Sequence, residues 1–339
     1  MAATPPLQPQ QLAPEWLAHR YDPEHDAVHL VRADRALRRS APFLTDEHLP
    51  SAAEPVVARR EDALASAPAP SPLHFVFHSA YCCSTLLANA CDEDGTASSL
   101  KEPTILNDLV GWRHRGGAPA RIGEVLDSSL RLLARPFEAG EAVVAKPSNV
   151  VNALIPAMLA LRPEARCVLL YAPLRLYLGS IAGKGLWGRL WVRDLAMKQL
   201  RDGLFEGLGF EPEDHMLQTD LQVAAVGWLA QHRLFASLSE QHPDRVWTLE
   251  SEALLARPEE ALTALDLLFG LSRRDVGETV ARVFARHAKF GGEFDRDRRA
   301  ADQRSAADVH GDEIEKVAIW AESVAANAGV EFELPSSLL

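Results

Sequence analysis

Residues 73–89, LHFVFHSAYCCSTLLAN, decide the fold class of this chain. The apolar run at residues 75–77 is typical of a buried strand, and a short polar loop follows it. Ser84 and Thr85 then begin a helical pattern. In such a unit the first N–H groups of the helix, together with its dipole, point at whatever lies over the loop. The stretch therefore predicts an anion site for phosphate or sulfate, with an ordinary capped helix as the alternative interpretation.

The loop has the outline of a P-loop, in which a glycine, a lysine and a hydroxyl residue close the phosphate-binding turn. Thr85 takes the hydroxyl position, whereas Ser84 stands in place of the lysine and Cys83 in place of the glycine. The sequence therefore predicts a P-loop outline without the lysine that an ATPase or GTPase needs.

The composition is that of one large or two ordinary globular domains. The chain has 339 residues, of which 47 are acidic and 35 basic, for a formal net charge of −12. A field of that sign repels nucleic acid and anionic membrane surfaces, and no window is long and apolar enough to cross a bilayer. The N-terminus lacks the basic start and apolar core of a secretory signal. We therefore expect a cytoplasmic protein that binds neither nucleic acid nor membrane.

The four cysteines have no paired spacing, so we expect neither a disulfide framework nor a metal site. Cys82 and Cys83 are adjacent and lie in the loop. A vicinal disulfide or a reactive thiol is one interpretation of this pair, and two small buried side chains are the more common one.

An anionic ligand requires local positive charge in so acidic a chain, and basic residues are concentrated in two segments. The first segment holds Arg162, Arg166, Arg175, Lys184, Arg189, Arg193, Lys198 and Arg201, and the second holds Arg286, His287, Lys289, Arg296, Arg298 and Arg299. The alternative, which we expect for most of these residues, is a solvated helix face.

Three parts are predicted along the chain. Residues 1–70 form an N-terminal extension that is partly helical, and the Pro-rich residues 67–72 form a stiff linker. Residues 71–285 alternate strands with helices, which predicts a three-layer α/β/α P-loop domain with a mostly parallel central sheet. Residues 286–339 contain the second basic segment and a helix that packs on the same domain. Strands are predicted at residues 75–77, 142–145, 165–171 and 245–249, and helices at 105–110, 124–133, 149–161, around 228–235, at 258–269 and at 312–329.

Four segments in fixed order resemble the P-loop sulfotransferases, which use 3′-phosphoadenosine 5′-phosphosulfate (PAPS). SAYCCSTLL at residues 79–87 resembles the family's 5′-phosphosulfate loop, R-S-G-S/T-T-L-L. Lys101-Glu102-Pro103 is similar to the K/R-E segment of many carbohydrate sulfotransferases. Residues 145–181 and 252–271 are similar to the family's E-K-T/S-P…R-x-P-x-D-x-x-x-S and E-D-L-L…F-L-G-L segments. The matching residues are Lys146, Pro156, Pro163, Ala165, Arg166, Pro173, Glu252, Leu254, Pro258 and Gly270, with Ser180 one residue late.

The resemblance implies transfer of a sulfuryl group from PAPS, without a metal, to a hydroxyl or amine of a small-molecule or carbohydrate acceptor. It implies that the backbone amides of Cys82, Cys83, Ser84 and Thr85, with the Ser84 and Thr85 hydroxyls, hold the 5′-phosphosulfate. His78, Ser79, Ala80 and Tyr81 are implied to be the other cofactor-binding residues of the loop. Arg175 and Ser180 are implied to bind the 3′-phosphate. His287 and Lys289, next to Gly291-Gly292, suit the mobile flap that closes over the nucleotide in this family, or a plain surface loop.

Three residues are implied to be catalytic. Lys146 stabilises the bridging oxygen as charge builds up on the leaving group, and Glu102 takes the proton of the acceptor as general base. Lys101 contacts the donor or the acceptor. Each has a structural alternative: a solvated lysine at a strand end for Lys146, a helix-terminal carboxylate for Glu102 and a surface lysine for Lys101. Ligands bind beyond the carboxyl ends of parallel strands, which places Lys146 on the same rim as the loop.

Several positions depart from the family pattern. Tyr81 replaces the basic residue of the loop, and Tyr171 falls where an arginine grips the 3′-phosphate. His78, Arg175 or Lys184 could substitute for that arginine, and Arg175 could instead pair with a carboxylate such as Asp194. Trp187 and Trp191 are expected in the core, with an acceptor wall as the alternative.

Three functions therefore remain at this point. The first is a PAPS-dependent sulfotransferase. The second is a Mg²⁺-dependent nucleotide phosphotransferase on the same scaffold, against which the missing lysine argues. The third is a non-catalytic nucleotide- or anion-binding protein, which Tyr81 and Tyr171 favour. The acceptor and the oligomeric state cannot be derived from these residues.

Overall fold

The computed structural model describes residues 12–49, 55–284 and 296–339. Contacts within the described chain divide it into two compact units. Unit 1 comprises residues 12–49, 55–77, 85–167 and 265–284, and unit 2 comprises residues 78–84, 168–264 and 296–339. The domain boundaries predicted after residues 70 and 285 stay predictions.

The described strands form two sheets. The first has the order β1-β2-β3 and contains β1 (Trp16–Asp22), β2 (Ala27–Arg32) and β3 (Val56–Arg59). The second has the order β5-β6-β4-β7-β8 and contains β4 (Leu73–His78), β5 (Ala97–Lys101), β6 (Ala142–Lys146), β7 (Cys167–Tyr171) and β8 (Val246–Glu250).

Helices flank the second sheet. The helices of the described residues are α1 (Arg35–Ser40), α2 (Arg60–Ala65), α3 (Ser84–Cys91), α4 (Thr104–His114), α5 (Pro119–Leu133), α6 (Ile155–Leu161), α7 (Leu174–Ala182), α8 (Gly185–Arg201), α9 (Asp220–Gln241), α10 (Ser251–Ala256), α11 (Pro258–Phe269), α12 (Val276–Val283) and α13 (Arg296–Ala328). Two 3₁₀ turns, Asn149–Leu154 and Pro212–Met216, complete the described elements.

In unit 1, β6 pairs in parallel with both β4 and β5. The side chains of residues 75–77 have no exposed surface, as expected for a parallel strand that is covered on both faces. Parallel neighbours end at the same edge of a sheet, and there Lys101 and Lys146 stand side by side in register. The predicted α/β class with a mostly parallel central sheet is confirmed.

The N-terminal segment of unit 1 contains an antiparallel three-stranded sheet besides its two short helices. The sequence analysis expected helices there and no strands. The pattern in β1 was obscured because polar residues lie among its apolar ones. His19 lies 2.6 Å from Asp46, and Arg20 makes hydrogen bonds to Asp108. The polar side chains of β1 are therefore satisfied by residues remote in sequence, and the local pattern does not indicate a strand.

Most predicted elements of the second sheet and its helices are present with small shifts of their ends. The last helix is also present, but it begins much earlier than predicted. α13 begins at Arg296, whereas Asp312 and Glu315 predicted a capping box and a start at Asp312. Both carboxylates instead make side-chain ion pairs in the middle of the helix. Lys316 binds Asp312 at 2.6 Å, and Arg175 binds Glu315 at 2.7 Å.

In unit 2 the C-terminal segment covers the edge of β8. The amide of Thr248 donates to the carbonyl of Ser336 at 2.9 Å, and the amide of Leu338 donates back to the carbonyl of Thr248 at 2.8 Å. The hydroxyl of Thr248 also donates to the carbonyl of Pro335 at 2.8 Å. These bonds satisfy backbone groups that an uncovered edge strand would expose.

Candidate functional site

The end of β6 in unit 1 carries a buried ion pair. Lys146 is only 1 % exposed, and its Nζ donates to Oε1 of Glu102. The same ammonium lies 5.1 Å from the centre of the Phe43 ring, over its face. The amide of Glu102 donates to the carbonyl of Lys146 at 2.7 Å, so backbone and side chain both fix the pair. Lys146 is therefore a buried, partnered cation and not a solvated strand cap.

Glu102 has an unusual backbone conformation for a residue with a Cβ. Its φ is +54°, in the left-handed region. This conformation costs of order 1–3 kcal/mol and persists where the surrounding structure enforces it, commonly at functional sites. The turn places the carboxylate over Lys146 immediately before Pro103 and α4. Its side chain is 19 % exposed, so it can reach both the buried lysine and an incoming ligand.

Lys101 is buried beside this pair. Its Nζ donates to the carbonyl of Arg39 and to Oδ1 of Asn89, each at 2.9 Å. Burial lowers the pKa of Lys101 to about 8; Asp92 opposes this shift, and the nearby charge of Lys146 adds to it. The surface-lysine alternative for Lys101 is therefore wrong, since the residue is only 2 % exposed.

The loop between β4 and α3 belongs to unit 2. Ala80, Tyr81 and Cys83 all have φ in the left-handed region, at +77°, +53° and +62°. Successive backbone amides in alternating right- and left-handed conformations form concavities that bind anions. Cys83, which stands where the sulfotransferase loop has glycine, thus has a backbone conformation that glycine adopts without strain.

Two residues hold the start of this loop. The Nδ1 atom of His78 accepts the amide hydrogen of Ala80 at 3.1 Å. The amide of Ser79 donates to the carbonyl of Leu170 in β7 at 3.0 Å, and the Ser79 hydroxyl accepts the amide hydrogen of Ala172 at 3.4 Å. His78 and Ser79 are buried, and their bonds shape the start of the turn.

Ser84 and Thr85 begin α3, as predicted. Both are buried, and the hydroxyl of Thr85 has no hydrogen-bond partner among the described residues. A buried hydroxyl in this state costs roughly 1–3 kcal/mol. At the first turn of a helix, this hydroxyl lies beside backbone amides of the kind that bind anions in other proteins.

Tyr81 replaces the basic loop residue with an aromatic one. Its ring lies 6.0 Å from Tyr177 and 5.3 Å from Trp191, centre to centre. The ammonium of Lys184 lies 5.8 Å from the centre of the Tyr81 ring, and burial raises the pKa of the phenol. The core position expected for Trp187 is wrong, because this side chain is 61 % exposed.

The residues predicted for the 3′-phosphate have protein partners. Arg175 makes two hydrogen bonds to Glu315 and one to Glu322, and not to Asp194, the carboxylate considered in the sequence analysis. The hydroxyl of Ser180 donates to the carbonyl of Leu176 at 2.8 Å and accepts from Gln303 at 2.9 Å. A 3′-phosphate would have to compete with these bonds.

Tyr171, at the position of the family's arginine, ends β7. It is 8 % exposed and packs edge-on against His232, with ring centres 4.9 Å apart. Burial is the main cause that raises its pKa to about 12. Its phenol is a neutral group near neutral pH and supplies no positive charge.

Three further predictions concern the flap residues, a metal site and a membrane-spanning helix. His287, Lys289 and the Gly291-Gly292 pair of the flap lie outside the described residues. Within the described ranges, no group of three or more His, Cys, Asp or Glu side chains is arranged to hold a metal ion. No helix in those ranges is long and apolar enough to cross a membrane.

Two features of the site were not anticipated. Phe43 faces Lys146 from the N-terminal segment, and its lone aromatic side chain gave no sequence signal. Arg299 makes two hydrogen bonds to Glu252, at 3.2 and 2.7 Å. Arg299 was part of the second basic segment, but the pattern did not distinguish it from its neighbours.

Comparison with known proteins gives matches among solved structures. No protein-family model and no curated protein sequence matches the chain significantly. Among solved structures, the chain is similar to the sulfotransferase domain from the Synechococcus PCC 7002 olefin synthase, with 14 % identity and a TM-score of 0.40 over 72 % of this chain and 95 % of that one. It is also similar to the sulfotransferase domain from the curacin biosynthetic pathway, with 13 % identity and a TM-score of 0.37 over 78 % of this chain and 99 % of that one. A likeness of this size identifies no ligand and no reaction.

Proposed function

We propose that this protein is a sulfotransferase that moves a sulfuryl group from PAPS to a hydroxyl or amine of a small-molecule or carbohydrate acceptor. The observation that carries the proposal is the buried pair of Lys146 and Glu102 at the end of β6. In unit 1, β6 pairs in parallel with β4, and β4 leads directly into the anion loop. A buried lysine and a partly exposed carboxylate at the ends of neighbouring strands can supply a charge-stabilising group and a general base.

The loop would hold the 5′-phosphosulfate. Its left-handed residues Ala80, Tyr81 and Cys83 curl the backbone, and Ser84 and Thr85 add two hydroxyls and the N-terminus of α3. The fit is supported by the Thr85 hydroxyl, which has no partner among the described residues. The transferred group has fewer negative oxygens than a γ-phosphate, so neither Mg²⁺ nor a P-loop lysine is required for its neutralisation.

The transfer would be an in-line displacement in which the protein positions groups and neutralises charge. Glu102 accepts the proton of the acceptor hydroxyl or amine as the new oxygen– or nitrogen–sulfur bond forms. Lys146 stabilises the bridging oxygen of the leaving 3′,5′-adenosine diphosphate as the old oxygen–sulfur bond breaks. The ion pair keeps both side chains in place before the substrates bind.

Lys101 would act by charge and not by contact with substrate, because two protein oxygens already bind its ammonium. The roles of Arg175, Ser180, His287 and Lys289 at the 3′-phosphate stay predictions, as does a cytoplasmic location. Arg175 already donates three of its N–H groups to Glu315 and Glu322, so a 3′-phosphate would have to share this guanidinium with two carboxylates.

The test is transfer of ³⁵S from labelled PAPS to a panel of hydroxyl, amine and sugar acceptors. We expect a labelled product with the natural protein and none above background with Lys146→Ala or Glu102→Gln. Folded variants that transfer sulfur as well as the natural protein would show that this pair is not the catalytic one.

A non-catalytic anion-binding protein is the second candidate, and Tyr81 and Tyr171 in place of two basic residues favour it. It predicts that 3′,5′-adenosine diphosphate binds but that no acceptor is labelled. A nucleotide phosphotransferase instead predicts ³²P transfer from ATP that depends on Mg²⁺.

A further inference from the structure

The anion loop contains no lysine or arginine of its own, and Nδ1 of His78 at its start is an acceptor for the amide of Ala80. Tyr81 and Ser84 stand where related loops carry basic residues. Backbone amides and a helix N-terminus favour an anion. A doubly charged anion is bound more strongly where a cationic side chain adds charge-assisted hydrogen bonds. We therefore consider the basic side chains of unit 2, which contains the loop.

Arg299 on α13 is held in unit 2 at the carboxyl edge of the sheet. Its guanidinium makes two hydrogen bonds to Glu252, two residues after the end of β8. β8 lies next to β7, and the residue that follows β7, Ala172, bonds to Ser79 of the loop. The side chain of Arg299 is 24 % exposed, so it is fixed and largely covered but still reachable by a ligand.

A second set of contacts fixes α13 on the same part of unit 2. One turn after Arg299, Gln303 donates to the hydroxyl of Ser180 at 2.9 Å on α7. Tyr177 of α7 in turn contacts the ring of Tyr81 in the loop. Arg299, α7 and the loop are therefore linked through packed side chains.

The loop cysteines also lie close enough to Arg299 to affect its charged state. Burial lowers the pKa of its guanidinium, whereas the bond to Glu252 and the neighbouring Cys83 and Cys82 thiols raise it, and the net shift is upward. A thiol has such an effect only on a charge close by. Of the five N–H groups of a guanidinium, two are donated to Glu252 in the described structure, which leaves donors for a ligand.

We infer that Arg299 is the cation of the anion loop, and that with the backbone amides of residues 80–84 it binds the 5′ anion of the donor. This inference rests on the proposed anion role of the loop and extends it to a residue far away in the sequence. Among the residues that the structure describes, Lys184 is another cation near the loop, but it is exposed and lies over the rings of Tyr81 and Trp187. Glu252 is then a positioning residue that holds the guanidinium in place before the anion arrives.

The test is calorimetric titration with inorganic pyrophosphate, which carries two linked anionic groups and no nucleoside. The variants are Arg299→Gln, which removes the charge, and Arg299→Lys, which keeps it without the planar fork. Arg304→Gln is the matched control, since it removes an exposed arginine from the same helix. Circular dichroism melting confirms that each variant is folded.

We expect pyrophosphate to bind the natural protein and Arg304→Gln equally, and at least about tenfold more weakly to Arg299→Gln, with Arg299→Lys between them. Equal binding to Arg299→Gln overturns the inference, and so does the absence of pyrophosphate binding to the natural protein. A parallel titration with 3′,5′-adenosine diphosphate separates the two proposals. Arg299-dependent binding of pyrophosphate without binding of this nucleotide keeps the inference and rejects PAPS as donor.

Discussion

At the scale of single residues, the pair of Lys146 and Glu102 distinguishes this chain from a bare α/β scaffold. A lysine that is 1 % exposed is costly to bury unless a carboxylate pairs with it. Glu102 meets that need from a left-handed backbone conformation that is itself unfavourable. These two unfavourable features, which support each other at a strand end, are the reason for the catalytic role that we propose for the pair.

Replacement of Lys146 by Met tests the charge without opening a large cavity. We expect kcat for sulfuryl transfer to fall by about 10²-fold or more, because one stabilising group for the leaving oxygen is lost, with little change in the donor KM. Lys198→Met is the matched control, as Lys198 lies in an exposed ion pair with Asp194. An equal fall in both variants would contradict a specific role for Lys146.

We expect Lys101 to make the free energy of unfolding depend on pH in the alkaline range. Its pKa is lowered from 10.5 to about 8 in the folded protein. Between these values the unfolded chain binds a proton that the folded protein has released, so the free energy of unfolding rises with pH across the window. We expect a rise on the order of 3 kcal/mol that is present in the natural protein and absent in Lys101→Met.

The measurement is urea unfolding at several pH values from 7 to 11, with Lys198→Met as the control that retains the rise. Parallel stability curves for the natural protein and Lys101→Met would show that Lys101 has an ordinary pKa.

The residue types of the site could be predicted from the sequence, but their states could not. Lys101, Glu102 and Lys146 were selected as candidates because the residues around them resemble sulfotransferase motifs. Their burial and their pairing depend on the register of β5 and β6 and on Phe43, none of which local sequence encodes. Arg175 illustrates the same limit, since its partners Glu315 and Glu322 lie on a helix distant in sequence.

At the scale of elements, the loop between β4 and α3 is the most informative. Its sequence predicted a turn that binds an anion, and its backbone has three non-glycine residues with left-handed φ. The missing glycine of the family pattern is thus a change of side chain and not of backbone conformation. A loop that keeps this shape without glycine stores strain, as is common at ligand sites.

Cys83→Gly should relieve part of that strain. We expect the free energy of unfolding to rise by about 1 kcal/mol. A side chain in the left-handed region costs roughly 1–2 kcal/mol, and part of this gain is lost because glycine gives the unfolded chain more conformational entropy. Cys82→Gly is the control, because Cys82 is fully buried and is not among the left-handed residues; it should lower stability.

Both values come from denaturant unfolding monitored by fluorescence. If Cys83→Gly destabilises the protein as much as Cys82→Gly does, the thiol of Cys83 stabilises the fold more than the strain costs.

Element ends show where sequence patterns are insufficient. The start of α11 at Pro258 and its stop before Gly270 were correct, because Pro and Gly act locally. The start of α13 was wrong, because an Asp–Glu pair with capping-box spacing also suits ion pairs along a continuous helix. The N-terminal strands were missed because their polar residues are satisfied by partners elsewhere in the chain.

At the scale of the whole molecule, the α/β class followed from the alternation of apolar strands and amphipathic helices. The C-terminal segment, in contrast, has no pattern that predicts its place on β8. It pairs with Thr248 through backbone bonds, which depend on where the chain passes and not on side-chain type.

Deletion of residues 335–339 should therefore expose the edge of β8. We expect a lower melting temperature and self-association at high protein concentration, because an uncovered edge strand offers unpaired backbone groups to a second copy. Thr248→Val, which removes only the side-chain bond to Pro335, should cost about 1 kcal/mol without self-association. Light scattering and thermal melts measure both, and a truncated protein that melts and scatters like the full chain would contradict this role of the segment.

The central claim is that this chain recognises a PAPS-type donor without a metal, and calorimetry tests it most directly. The purified protein is titrated with 3′,5′-adenosine diphosphate, the product nucleotide, and separately with ATP and Mg²⁺. We predict micromolar binding of the bisphosphate and no binding of ATP with Mg²⁺. Binding of ATP with Mg²⁺ alone, or of neither nucleotide, would contradict the claim.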